Sequence, residues 1–141
     1  MSTKTTNQKI VSKYKKYLES PVATVMAAHE GVPATAYGDV AQLYGHKERI
    51  AELLNISTKT IKRYQHQQKR LNASISEMLL KMVAVFDKGV EVFGEDTAFL
   101  SWLERPAFGL GNYIPLEIMK TSDGIDLVME ELVRIEYGDL A

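Results

Sequence analysis

The longest regular feature of the chain is an apolar stripe, Leu79, Met82, Val83, Phe86, Val90 and Phe93, whose steps of three and four residues mark one face of a helix. A strand turns over every two residues and cannot gather that set on one side. Just ahead of it, Ser74 and Glu77 have the Ser-x-x-Glu spacing of a capping box. A helix this long with so broad an apolar face needs other elements to cover it. The rest of the chain offers helices for the purpose and no convincing strand. Ile10, Val11, Tyr14, Tyr17 and Leu18 form a second stripe with Lys9, Lys13, Lys15 and Lys16 between them, a basic amphipathic helix that Ser20-Pro21 closes. After Gly31-Val32-Pro33, the residues Ala36, Tyr37, Val40 and Tyr44 repeat at helical spacing up to Gly45, and Ile50, Leu53 and Leu54 define a shorter helix.

The C-terminal third follows the same grammar with more punctuation. Asp96 stands where it would cap a helix carrying Phe99, Trp102 and Leu103, and Pro106 stops that helix. A Gly-rich bend follows, then Pro115 in the first turn of a short helix. Past a Thr-Ser-Asp-Gly break, Ile125, Val128, Leu132 and Ile135 form the last stripe, widened by Met129 and Val133, with Gly138 suited to a left-handed stop. The expected fold class is all-α. A helical domain over residues 1–90 precedes a small helical domain over 91–141, and the boundary falls within or just after the helix from Glu77 to Phe93.

With 141 residues, 45% apolar and 25% charged, the chain has the balance of one soluble globular domain or two small ones sharing a core. It has no Cys, so disulfides, thiol catalysis and thiolate metal sites are excluded. The N-terminal segment lacks the apolar run of a signal peptide and no stretch is long enough to span a bilayer, so a cytoplasmic location and no membrane partner are expected. The net charge of −1 conceals a division: residues 1–70 hold 12 Lys and Arg against 5 Asp and Glu, while residues 71–141 hold 5 against 13. The first half suits a polyanion, the second is repelled by one, and solvated helix faces of differing charge account for the same numbers.

The segment from Lys47 to Gln67, KERIAELLNISTKTIKRYQHQ, has the layout of a helix-turn-helix. Ala51 would sit at the helix crossing and Asn55 would take the positive φ where Gly is usual. Ile56 and Ile61 would wedge the helices together. Ser57 would cap the second helix, and Thr58, Lys59, Thr60, Lys62 and Arg63 would project from it toward base edges and phosphates. An ordinary helical hairpin is the plainer alternative.

Nothing else in the chain carries chemistry. His29, His46 and His66 lie far apart without acidic or Cys partners at ligand spacing, so no metal or other cofactor is expected. Gly109-Leu110-Gly111-Asn112 neither follows a strand nor completes a nucleotide-binding fingerprint. The Met residues at 78, 82, 119 and 129 read as core, Trp102 as a core anchor, Glu130-Glu131 as the solvated side of the last helix, and the last few residues as a frayed terminus. No catalytic residue is expected.

The ordered set Val92, Phe93, Gly94, Trp102, Leu103, Pro106, Leu110, Gly111, Pro115, Leu116, Thr121, Gly124, Val128, Leu132, Ile135, Tyr137 and Gly138, placed behind a helix-turn-helix, resembles the Xre-type antitoxins that carry an MbcA/ParS-like toxin-binding domain and pair with RES-domain toxins. The resemblance covers about residues 31–141; Gly111-Asn112 replaces the commoner Gly-Gly, and the first 30 residues match no part of the pattern. It implies an antitoxin of a type II toxin–antitoxin system. Family toxins degrade NAD, and family antitoxins cover the toxin and place their C-terminal residues in its cleft. Carried over, Tyr137, Gly138, Asp139, Leu140 and Ala141 form the plug, an acidic tail suited to a pocket built for a pyrophosphate. The partners expected are a RES-domain toxin protein, the operator DNA of the gene pair, which the chain would repress, and a second copy in a homodimer, since helix-turn-helix proteins commonly read pseudo-palindromes as dimers. The different class left open is a free-standing helix-turn-helix regulator with a C-terminal dimerisation or sensing domain.

Overall fold

A computed structural model describes residues 5–138. Its helices are α1 (Thr6–Tyr14), α2 (Pro21–Glu30), α3 (Thr35–Tyr44), α4 (Lys47–Leu54), α5 (Thr58–His66), α6 (Ala73–Phe93), α7 (Asp96–Leu103), α8 (Pro115–Ile118) and α9 (Ser122–Glu136), with 3₁₀ turns at Lys15–Tyr17 and Phe108–Leu110. Among the described residues extended pairing is confined to two isolated bridges, Pro33 with Arg70 and Ala107 with Tyr113. The fold is all-α.

Helix α6 is the axis. Its 21 residues span about 30 Å at the α-helical rise. Met78, Leu79, Leu80, Met82, Val83, Val85 and Phe86 are all buried on it, so the apolar face goes most of the way round. That width matches the number of its partners: α1, α2, α3, α7 and α9 all pack against it. One core therefore runs unbroken from Ile10 to Leu132. Tyr44 and Phe86 meet edge to face with Phe99, which stacks in turn on Trp102, joining α3, α6 and α7 by aromatic contact. Trp102 is half-buried at the edge of this cluster and serves as the expected anchor, and Met78, Met82 and Met119 are buried.

Three local readings are corrected by the structure. Helix α6 is capped by Asn72, whose side chain accepts from the Ile75 amide at 2.8 Å, not by a Ser74–Glu77 box. Ser74 is already inside the helix, and the Glu77 carboxylate accepts instead from Ser122 Oγ at 2.5 Å on α9. The N-cap of α7 is Glu95, without a side-chain cap bond; Asp96 lies in the first turn and accepts from Asn7 Nδ2 at 2.6 Å. Ser20-Pro21 starts a helix as much as it closes one: Ser20 Oγ accepts from the Ala23 amide at 3.1 Å and Pro21 takes the first helical position, opening α2.

Helix α1 ties the parts together. Ile10, Val11 and Tyr14 are buried against α3 and α6, Lys13 pairs with Asp39 at 2.8 Å, Lys15 with Asp87 at 3.0 Å, and Asn7 reaches Asp96 at the start of α7. The exposed ion pairs contribute little, and the three buried side chains supply most of the attachment.

Candidate functional site

The N-terminal candidate is the pair α4–α5. Asn55 takes φ +55° and ψ +46°, the left-handed cap of α4, and the chain turns through Ile56 into Ser57. Ser57 Oγ accepts from the Thr60 amide at 3.0 Å and so fixes the first turn of α5. Ala51 and Ile61 are buried and Ile56 is partly buried against the core, which closes the angle between the two helices. Two further contacts hold the pair on its support. The Tyr37 hydroxyl donates to the Lys47 carbonyl at the head of α4, and Leu71 N donates to Val32 O at 2.8 Å, drawing the segment after α5 back to the start of α3.

With Ile61 turned inward, the opposite side of α5 faces solvent. Ser57, Thr58, Lys59, Lys62 and Arg63 are exposed and Thr60 is half-buried. Helical geometry puts Thr58, Lys59, Lys62 and Arg63 within one arc of α5, and His66, also exposed, falls in the same arc. No acidic side chain among the described residues pairs with Lys59, Lys62 or Arg63; the Arg63 guanidinium lies 5.5 Å from the Tyr64 ring. His66 was missed as part of this face because the sequence reading stopped at the first turns of α5. At the N-terminus, by contrast, Lys13 of α1 and Lys15 of the 3₁₀ turn after it pair with carboxylates of their own chain.

The C-terminal candidate is built from α7, the bend Ala107–Tyr113, α8 and α9. Thr121 Oγ1 accepts from the Gly124 amide at 3.0 Å and starts α9, whose inner face buries Ile125, Val128 and Leu132. The helix ends at Glu136, with Tyr137 exposed and Gly138 at φ +73°, a left-handed conformation that lets the chain leave the helix axis sharply. Of the five tail residues, Tyr137 and Gly138 are thus brought to the surface at the end of α9, while Asp139, Leu140 and Ala141 lie outside the described residues.

One residue reads differently from its sequence pattern. Glu131 is buried, 1% exposed, and not on the solvated side of α9. Arg134 donates to its Oε1 through Nε at 2.9 Å, and Nη2 lies 2.8 Å from the same oxygen, an ion pair one turn along the helix. Over the same carboxylate passes the backbone of the bend: a Cβ on Gly109 would stand 2.0 Å from Glu131 Oε2. Sequence periodicity had no means of finding this, because what buries the acid is a glycine 22 positions earlier in the chain.

The described residues hold no group of three or more His, Cys, Asp or Glu arranged for a metal ion. None of their helices is long and apolar enough to cross a membrane.

A helix-turn-helix on a shared core with a small C-terminal helical module is the form of a DNA-binding protein that also binds protein. Residues 23–84 match the antitoxin Xre-like helix-turn-helix domain, and residues 88–138 match the antitoxin Xre/MbcA/ParS C-terminal toxin-binding domain. The chain belongs to this Xre family of antitoxins. It is 28% identical over 135 residues to a Prs ADP-ribosylating antitoxin of Sphingobium sp. (strain YBL2), covering 89% of this chain and 85% of that protein. It is also 28% identical to the antitoxin Xre of Photorhabdus laumondii, over 78% of this chain and 76% of the relative. To the antitoxin Xre of Yersinia enterocolitica it is again 28% identical, over 65% of this chain and 63% of the relative. A toxin partner and a DNA-binding role follow from the two domains.

Proposed function

We propose that this antitoxin neutralises a RES-domain toxin that consumes NAD, and does so by lodging the tail Tyr137–Ala141 in the toxin's active-site cleft. The observation that carries the proposal is the end of α9. The helix is anchored by Ile125, Val128 and Leu132, and it stops at an exposed Tyr137 and a left-handed Gly138. Asp139 then supplies an anionic group for a site that evolved to hold phosphates. The chain acts by binding rather than by catalysis, and the units 1–90 and 91–141 divide the labour while sharing α6.

The name of the Sphingobium relative favours a second form of the same reading, in which the toxin transfers ADP-ribose from NAD to a protein instead of degrading NAD. Both toxins need an NAD pocket, so the plug serves either. The experiment is to incubate the purified toxin with NAD, with and without this chain, and follow free ADP-ribose, nicotinamide and the mass of candidate acceptor proteins. Inhibition at one antitoxin per active site supports the proposal, and the products separate its two forms. NAD turnover undiminished by excess antitoxin sinks both.

For the N-terminal half we propose autorepression, with Ser57, Thr58, Lys59, Thr60, Lys62 and Arg63 on operator DNA and a homodimer matching a two-fold operator. Membership of an antitoxin family weighs against a free-standing regulator.

A further inference from the structure

The large apolar side chains left exposed among the described residues fall into two sets. Val22, Val25 and Met26 lie on α2; Phe108, Tyr113, Leu127 and Tyr137 lie in the C-terminal module. Scattered exposed apolar groups are ordinary, but the second set is not scattered. Phe108 and Tyr113 stand at the two ends of one bend, 84% and 69% exposed. That bend is held from several directions. Ala107 N donates to Tyr113 O at 3.0 Å, Asn112 N to Ala107 O at 2.9 Å and Gly111 N to Phe108 O at 3.1 Å. Gly111 and Asn112 both take positive φ, and Gly109 rests on the buried Glu131 carboxylate. Two aromatic rings are therefore presented by a rigid backbone whose ordering cost is met during folding, the condition under which a surface ring becomes a binding anchor.

The position of the bend says what it meets. Leu127, Glu131 and Arg134 follow one another at steps of four and three along one edge of α9. The bend sits over Glu131, and the tail departs seven residues later, about 10 Å further along the helix rise. A partner that grips the end of α9 along this edge would also meet Phe108. The bend also falls inside the matched toxin-binding domain. The surrounding charge is one-sided, with 4 Lys and Arg against 10 Asp and Glu in residues 88–138, which suits a partner surface with basic residues around an apolar socket.

We propose that Phe108 and Tyr113 form a second toxin contact, an aromatic anchor that inserts into an apolar, basic-rimmed socket beside the mouth of the toxin's cleft. The proposal rests on the antitoxin reading above and adds to it a site that holds the toxin independently of the tail. It gives the two regions different tasks: the anchor provides affinity and the tail provides inhibition.

The test measures the affinity of the purified toxin for the full chain, for Phe108→Ala, for Tyr113→Ala and for a chain ending at Tyr137, together with each variant's unfolding midpoint. Phe108→Ala is expected to weaken binding by about thirtyfold and Tyr113→Ala by about tenfold, with midpoints unchanged, whereas the shortened chain binds within a few-fold of the full one. Equal affinity of both aromatic variants and the full chain overturns the anchor and leaves the antitoxin reading standing. A loss of binding matched by a lowered midpoint also overturns it, since the rings would then serve the fold. If the full chain fails to bind the toxin, both readings fall.

Discussion

Tyr14 and Tyr44 show how single residues set conditions on this fold. Burial, and after it the hydrogen bond to Asp39 at 2.5 Å, pushes the Tyr14 hydroxyl above its ordinary range; burial does the same to Tyr44, whose hydroxyl donates to Met82 O at 2.6 Å. Both shifts are upward, so the unfolded chain loses these protons first, near pH 10. The stability they contribute is full below about pH 10 and is lost as pH rises beyond it. Tyr44→Phe should flatten that alkaline decline by about one proton, roughly 1.4 kcal/mol per pH unit, in urea midpoints taken from pH 9 to 11. An unchanged slope would mean that Tyr44 titrates normally in the folded protein. Glu131 sets a second condition. Arg134→Met leaves a buried carboxylate without its donors and should cost about 2 kcal/mol, read from the denaturation midpoint. Asn55 and Ser57 were legible as turn and cap because their chemistry is local; Glu131 was not, since its burial depends on a loop far away in the chain.

Elements show the same division between local and distant causes. The stripes of α3, α4, α6, α7 and α9 follow from helical spacing alone, and Pro106 and Pro115 end and begin helices where their rings require. Helix α2 was missed because only Ala27 and Ala28 are buried on it, while Val22, Val25 and Met26 face outward, so no inward stripe announces it. The capping box before α6 failed for a related reason: Asn72 offered an equally good cap two residues earlier and the helix took the longer form. For α5 the expected outcome is a separation of tasks. Lys62→Ala or Arg63→Ala should each lower operator affinity and reduce the salt dependence of binding by about 0.9 in log–log slope, one phosphate contact, with toxin neutralisation intact. Equal loss of both activities would contradict separate surfaces. Lys13→Ala on α1 and Lys15→Ala in the turn after it should leave operator affinity within about twofold, because these ammonium groups already face Asp39 and Asp87. A steep loss of DNA binding would place α1 on the operator.

At the scale of the whole molecule, one continuous helix joins the two activities. Helix α6 belongs to the core that supports α4 and α5 and to the core that supports α7 and α9, and α1 reinforces the junction through Asp87 and Asp96. The charge division seen in the sequence has a structural counterpart: exposed cations gather on α5, and acidic side chains predominate around the C-terminal module. Such an arrangement lets DNA and toxin bind at surfaces of opposite sign without competing. We propose that the tail inhibits while the rest of the module binds. It is tested most directly by inducing the toxin gene in cells and following growth and NAD, with the full chain or with a version ending at Tyr137. The full chain should restore both, while the shortened chain should still co-purify with the toxin but restore neither. Full protection by the shortened chain would contradict it.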